Sequence, residues 1–169
     1  MAARLAKGIT LGETDYRLGA LERLHDARIL LEHDQFAGSI YLAGRAVEGM
    51  LRALLCRGDP LIRRGKKPLE SAHDLRELLK LVRDLGLLRS IPADEQFEAR
   101  VHKVARLWFN NMRFISSQSV TRWWVSVGAV RRNVTLKRAA SEYVDTCLAI
   151  VRRCEARCGR LARQGFKRF

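Results

Sequence analysis

No run of apolar residues in this chain is more than a few positions long, far short of the ~20 that a membrane-spanning helix requires. The opening stretch MAARLAKGITLGETD has neither a continuous apolar core nor a cleavage-like site, so no secretory signal is expected and a cytoplasmic protein is the default. Only three prolines occur in 169 residues, which points to one compact domain rather than two joined by a breaker-rich linker. There is no Cys-x-x-Cys pair, no phosphate-binding glycine loop, no GxGxxG following a strand and no HExxH. Nucleotide hydrolysis, dinucleotide chemistry and zinc proteolysis therefore have no support, and neither a cofactor nor a metal is expected. At this length the chain can bury roughly two thirds of the surface that its unfolded form exposes, so it needs no crosslink to fold.

Acidic residues are scarce as well, and unevenly so. Lysine and arginine total 32 against 18 aspartates and glutamates, a net charge of +14. Residues 1–56 hold 7 cations and 7 acids, residues 57–112 hold 12 and 8, and residues 113–169 hold 13 and 3. The net charges of 0, +4 and +10 argue for an anion-binding role of the C-terminal third, because a surface built only for solubility mixes the signs. Three clusters carry the excess. Arg131, Arg132, Lys137 and Arg138 form the first, and Arg152, Arg153, Arg157, Arg160, Arg163, Lys167 and Arg168 the second. The third is RGDPLIRRGKKP, residues 57–68, with Arg63, Arg64, Lys66 and Lys67; its two glycines and two prolines read as a loop whose charge is mobile.

Apolar spacing of three and four predicts a helix over residues 13–34, with Thr14 and Asp15 as candidate caps, and a second over 36–56. Gly38, Gly44 and Gly49 interrupt the second helix. Each interior glycine costs about 1 kcal/mol of helix propensity, so three of them predict close approach of another backbone, with the first helix as the neighbour. A short third helix starts near His73 with Ser71 as its cap and stops at Gly86, and a fourth runs from Pro92 to about Asn110 with Phe97, Val101, Val104, Ala105 and Trp108 inward. Residues 111–133 read as irregular. A last helix spans about 136–160. The expected class is all-α, an antiparallel four- to five-helix bundle, with 1–12 as an N-terminal arm, 13–160 as the bundle and 161–169 as a basic tail.

Cys147, Cys154 and Cys158 are seven and four residues apart, which stacks them on one helical face as small core residues; a zinc site would use paired short loops. His73 reads as a helix-entry group, and His25, His33 and His102 as solvent-exposed. Trp108, Trp123 and Trp124 flank a polar run in which Asn110, Asn111, Arg113, Ser116, Ser117, Gln118 and Arg122 supply donors. That mixture suits stacking on single-stranded nucleic acid, and it equally suits a buried aromatic cluster beneath a polar loop.

Three stretches together resemble the HEPN superfamily of helical bundles: YLAGRAVEGMLRALL (Tyr41 to Leu55), AHDLRELLKLV (Ala72 to Val82) and LWFNNMRFISS (Leu107 to Ser117). Gly44 and Glu48 are the most particular matches. The resemblance implies a bundle that dimerises and acts as a metal-independent endoribonuclease, an RNA-binding module, or the partner of a small nucleotidyltransferase in toxin-antitoxin and defence systems. Nuclease members place an arginine, a polar residue and, four to six residues on, a histidine at the start of a late helix. Arg113 stands about where that arginine would be, but no histidine follows it, so the general acid or base is missing. Arg28 to His33 has the formal spacing, yet with 25 arginines and four histidines about two such matches are expected by chance.

Three readings follow. One is a non-catalytic or diverged HEPN-like protein that binds RNA or another nucleic acid through Arg113, Arg122, Arg131, Arg132, Lys137, Arg138, Arg63, Arg64, Lys66 and Lys67. The second is a ribonuclease in which Arg113 works with Arg122, or with His102 delivered across a homodimer. The third is an interaction module whose basic face docks on an acidic protein. Homodimerisation is expected from the resemblance and from two adjacent tryptophans that a monomer would leave partly exposed.

Overall fold

From Met50 to Cys56 the sequence reads MLRALLC, apolar on every side of a helix except for one arginine. Such a segment has no face suited to water and must lie inside. The computed structural model, which describes residues 11–63, 74–88, 95–131 and 133–165, places it there. Fourteen of the 23 residues of its helix, Phe36–Gly58, are buried, and all seven of Met50–Cys56 are among them.

The regular elements among the described residues are all helical. They are α1 (Glu13–Glu32), α2 (Phe36–Gly58), α3 (Pro60–Arg63), α4 (Leu75–Asp84), α5 (Glu95–Leu107), a 3-10 helix (Asn110–Phe114), α6 (Ser117–Ser126) and α7 (Leu136–Gly165). Helix α2 is the hub, packed against α1, α3, α4, α6, α7 and the 3-10 helix.

Helices α1 and α2 form an antiparallel hairpin. Asp34, at φ 58°, makes the turn, a left-handed conformation that aspartate tolerates better than most residues, and Gln35 N–H donates to the Leu30 carbonyl at 2.8 Å. Ser39 Oγ then donates across to the Ala27 carbonyl at 2.7 Å inside the hairpin. The close approach expected at the glycines of α2 occurs, with two kinds of neighbour. A Cβ on Gly49 would lie 3.2 Å from the Cβ of Ala20, and one on Gly38 3.0 Å from Leu30, both on α1. Gly44 does not face α1: a Cβ there would meet the Trp108 indole at 2.2 Å.

Helix directions are mixed. Lys137, at the start of α7, pairs with Asp34, and Glu155, further along, pairs with Arg17, so α7 runs against α1 and alongside α2. Cys147, Cys154 and Cys158 are buried on its inner face, as their spacing predicts. Helix α7 reaches Gly165, five residues beyond the expected end and about 45 Å overall at 1.5 Å per residue.

Element ends differ from expectation where a side chain captures a backbone group. Gly12, not Thr14 or Asp15, is the N-cap of α1, and Asp15 reaches back to accept from the Gly12 N–H at 2.8 Å. Helix α4 begins at Leu75, with the Asp74 carboxylate accepting from Arg76 N at 2.8 Å; Ser71, His73, Pro92 and Asp94 lie outside the described residues. Gly86, at φ 67°, closes α4 as expected. The basic loop is shorter than its punctuation implies. Helix α2 continues to Gly58, and Asp59 accepts from Leu61 N at 2.8 Å to start α3 at Pro60. Nor is Arg57 mobile, since Glu13 holds it at 2.6 Å.

Candidate nucleic-acid interface

Helix α5 ends at Leu107, before the expected Asn110, and the reason is tryptophan chemistry. An indole N–H that enters a core needs an acceptor, and the carbonyls at a helix C-terminus need donors. The Trp124 indole donates to the Leu107 carbonyl at 3.3 Å, and the Trp108 indole donates to the Tyr41 carbonyl at 3.1 Å while its ring lies over Gly44. With both tryptophans turned inward, the chain runs extended through Phe109 and then coils into the 3-10 helix.

The segment expected to be irregular therefore holds two helices. Met112 is 1% exposed and plugs the 3-10 helix into the core, which turns Arg113 and Phe114 to solvent. Ser116 Oγ caps α6 by accepting from Ser119 N at 3.2 Å. Ala37 N donates to Ser117 Oγ at 3.4 Å, tying the start of α6 to the start of α2.

Of the aromatic residues proposed for stacking, Trp108 and Trp124 belong to the core, and Trp123 is half-buried with Phe109 edge-on against it at 5.0 Å. Of the two adjacent tryptophans from which a dimer is expected, only Trp123 keeps the partial exposure that the argument requires. What the segment does expose was not singled out in the sequence: Phe114, 75% exposed, with the Arg113 guanidinium 4.6 Å from its ring centre. The available signal was the neighbouring pattern, since a buried Met112 in a tight helix leaves the next two residues outside. Asn111, Ser116, Gln118 and Arg122 are exposed, and Asn110 and Ser117 are partly buried.

The basic clusters that follow one another in sequence are parted in space. Arg131, Lys137 and Arg138 are exposed. Lys137 reaches Asp34 at 3.0 Å, and Arg138 reaches Glu142 at 3.1 Å. Ser117 and Lys137 thus flank the same α1–α2 turn, which sets Lys137 and Arg138 at the end of the bundle where α6 begins. Glu155, with Arg17, lies 18 residues further along α7, about 27 Å away. Arg152, Arg153 and Arg157 therefore belong with Arg57 and α3 at the other end. Arg153 and Arg157 are partly buried and partnered. Arg64, Lys66, Lys67, Arg132, Lys167 and Arg168, and the side chains of Arg63, Arg160 and Arg163, lie outside what is described.

Buried charge is concentrated on α2. Glu48 is 2% exposed and Arg52 5%. One Glu48 oxygen accepts from Arg52 Nε at 3.0 Å and Nη2 at 2.9 Å, and the other pairs with Arg45. The Arg52 guanidinium also lies 5.7 Å from the centre of the Tyr16 ring. Sequence reading picked out Glu48 but not its partners, although the i−3 and i+4 spacing was there to find. Beside Glu155, the Arg17 guanidinium is held above its usual range. Burial pushes the Cys158 thiol up to about 11, and raises those of Cys147, Cys154 and Cys56 and the Tyr143 phenol as well. Thiols so protonated are poor nucleophiles.

His25, His33 and His102 are exposed as expected. Among the described residues no group of histidine, cysteine, aspartate and glutamate could hold a metal ion, and no helix is long and apolar enough to cross a membrane.

A family model described as the HEPN domain matches residues 14–105, which is 92 of the 169 residues. The chain belongs to the HEPN domain family. The match covers the helical core from α1 into α5, with α2 and its Glu48 network at the centre. It stops before Trp108, so the 3-10 helix, α6 and α7 lie beyond it. HEPN membership points to a nucleic-acid-related or ribonuclease-like function. Neither a curated protein nor a solved structure matches the chain.

Proposed function

We propose that this HEPN protein binds single-stranded RNA through the end of the bundle that carries Arg113, Arg122, Arg131, Lys137 and Arg138, and does not cut it efficiently. The observation that carries the reading is Arg113. It is exposed, rests on an aromatic ring, has no carboxylate partner among the described residues, and no histidine follows it in the chain. An unpaired guanidinium suits phosphate. Without a positioned acid or base, cleavage forfeits roughly two to four orders of magnitude in rate.

A homodimer, a nucleotidyltransferase partner and a place in a toxin-antitoxin or defence system belong to the same reading by family analogy. The catalytic reading rests on the exposed His102, which a second copy would have to deliver.

The test is fluorescence anisotropy with labelled single-stranded RNA across a salt series, with the same RNA run on a gel afterwards. Each phosphate neutralised on a single strand adds about 0.7 to the slope of log affinity against log salt, so four to six contacts give a slope of roughly 3 to 4. Salt-independent binding, or none, turns the argument towards an acidic protein partner. Prompt metal-free scission that Arg113→Ala abolishes establishes the enzyme instead.

A further inference from the structure

Between Glu98 and Glu142 lie 43 residues without a single carboxylate, and nine of them are lysine or arginine. The stretch includes the 3-10 helix and α6, so the two most exposed aromatic side chains among the described residues lie in the longest run of the sequence without an acid. Phe114 is 75% exposed, more than any other large apolar side chain among the described residues, and Phe109 is 39% exposed. At about 2 Å of rise per residue the two lie roughly 10 Å apart along the 3-10 axis.

The backbone that carries Phe114 is well anchored. Met112 anchors its helix from below, and Ile115 N–H, donating to the Met112 carbonyl at 3.2 Å, closes the turn behind it. An aromatic ring exposed beside a guanidinium offers what an unpaired nucleotide needs, a flat apolar face for the base and a cation for the phosphate next to it.

We infer that Phe114 is the stacking platform for an unpaired RNA base, with Arg113 and Arg122 holding the flanking phosphates. This rests on the RNA-binding reading above and gives it a site and a ligand class. Phenylalanine has no polar atom, so the platform accepts any base and selects for single strands, whose bases are free to leave the stack. Arg113 covers only part of the ring, since three quarters of Phe114 remains open. A second copy of the chain is the poorer occupant. A twofold contact would set this patch against itself, and the Arg113 beside Phe114 would then face its own copy across a small aromatic area.

The experiment compares the wild-type chain with Phe114→Ala and Phe114→Trp. Two probes of equal length and charge are used, a short labelled oligouridylate and the corresponding abasic strand. Phe114→Ala should weaken oligouridylate binding by roughly 5- to 150-fold, the range for one stacked base. The salt slope should not change, abasic binding should be unaffected, and Phe114→Trp should restore or exceed wild-type affinity. The exposed position lets both variants fold, which an unchanged melting temperature verifies.

If Phe114→Ala binds oligouridylate like wild type with the full salt slope, the platform is wrong while the RNA reading stands. Equal weakening on both probes also overturns it, since the ring would then act only by positioning Arg113. If Phe114→Ala instead turns a sedimenting dimer into a monomer, the patch is an interface between copies and the proposal fails. If the wild-type chain binds neither strand, the RNA reading itself fails, and the platform with it.

Discussion

The arginines of the α1–α2 hairpin and those around the 3-10 helix and α6 are the same side chain set to opposite uses. In the hairpin most are tied down, Arg17 to Glu155, Arg23 to Asp26, Arg57 to Glu13, and Arg45 and Arg52 to the buried Glu48, with Arg28 the exposed exception. Around the 3-10 helix, among the described residues, Arg113 has only the ring of Phe114, and Arg122 only a hydroxyl contact to Ser119 at 3.4 Å. An arginine count therefore measures binding capacity poorly. Ionic partners within the chain have already taken up part of the +14, and free guanidinium groups are concentrated where acids are absent. The first region should respond to mutation in its stability, the second in its affinity for anions.

The sharpest way to break that division is Glu48→Gln. It leaves Arg52 buried beside a neutral amide, and stranding a buried charge typically destabilises by about 3 to 5 kcal/mol. At this chain length that lowers the melting temperature by roughly 6 to 20 °C. Replacing Glu48 and Arg52 together with methionine should recover most of the loss, and neither change should alter the salt slope of RNA binding. A harmless Glu48→Gln would mean that the network is not buried as described.

The same hairpin offers a paired test of packing. Gly44→Ala places a methyl group 2.2 Å from the Trp108 ring, and overpacking of this kind costs about 1 to 3 kcal/mol; a larger residue such as leucine can do no better. Gly19→Ala, with nothing within 4 Å of the added Cβ, should instead stabilise by roughly 0.5 to 1 kcal/mol through helix propensity. Thermal melts of the two variants should move in opposite directions.

The buried thiols add a pH signature. Their folded pKa values lie above the ordinary value of 9, at about 11 for Cys158. The neutral form is thus favoured in the folded state, and stability is fully present below pH 9. Above that pH the unfolded chain loses protons that the folded chain keeps, so stability falls by up to about 1.4 kcal/mol per pH unit for each thiol. Denaturant titrations between pH 8 and 11 should show the decline, and Cys158→Ala should lessen it.

Smaller effects separate the two regions more finely. Arg17→Ala, which removes a pair about one third exposed, should cost about 1 kcal/mol or less and leave RNA affinity unchanged. Arg122→Ala should change stability by no more than about 0.5 kcal/mol, yet weaken RNA binding and flatten the salt slope by about 0.7. Neutralising Arg131, Arg132, Lys137 and Arg138 together should flatten it by up to about 3. A loss of stability with no change in slope would place Arg122 with the hairpin arginines after all.

The all-helical class, the extent of α2, the cysteine face of α7 and the stop at Gly86 were legible in the sequence because each depends on local periodicity or on one residue's backbone preference. The net charge and its concentration in the last third were legible by counting, and so was the missing histidine after Arg113. Residues 111–133 were not. Their fold hangs on Trp124 finding the carbonyl of Leu107 and on Met112 finding the core, contacts that no spacing rule announces. Only tertiary structure could show that Gly44 makes room for Trp108, a residue 64 positions away, or turn Phe114 outward while turning Trp108 and Trp124 in. It also decided that one basic third becomes two separate ends, because a helix of about 45 Å holds the clusters it carries apart whatever their order along the chain.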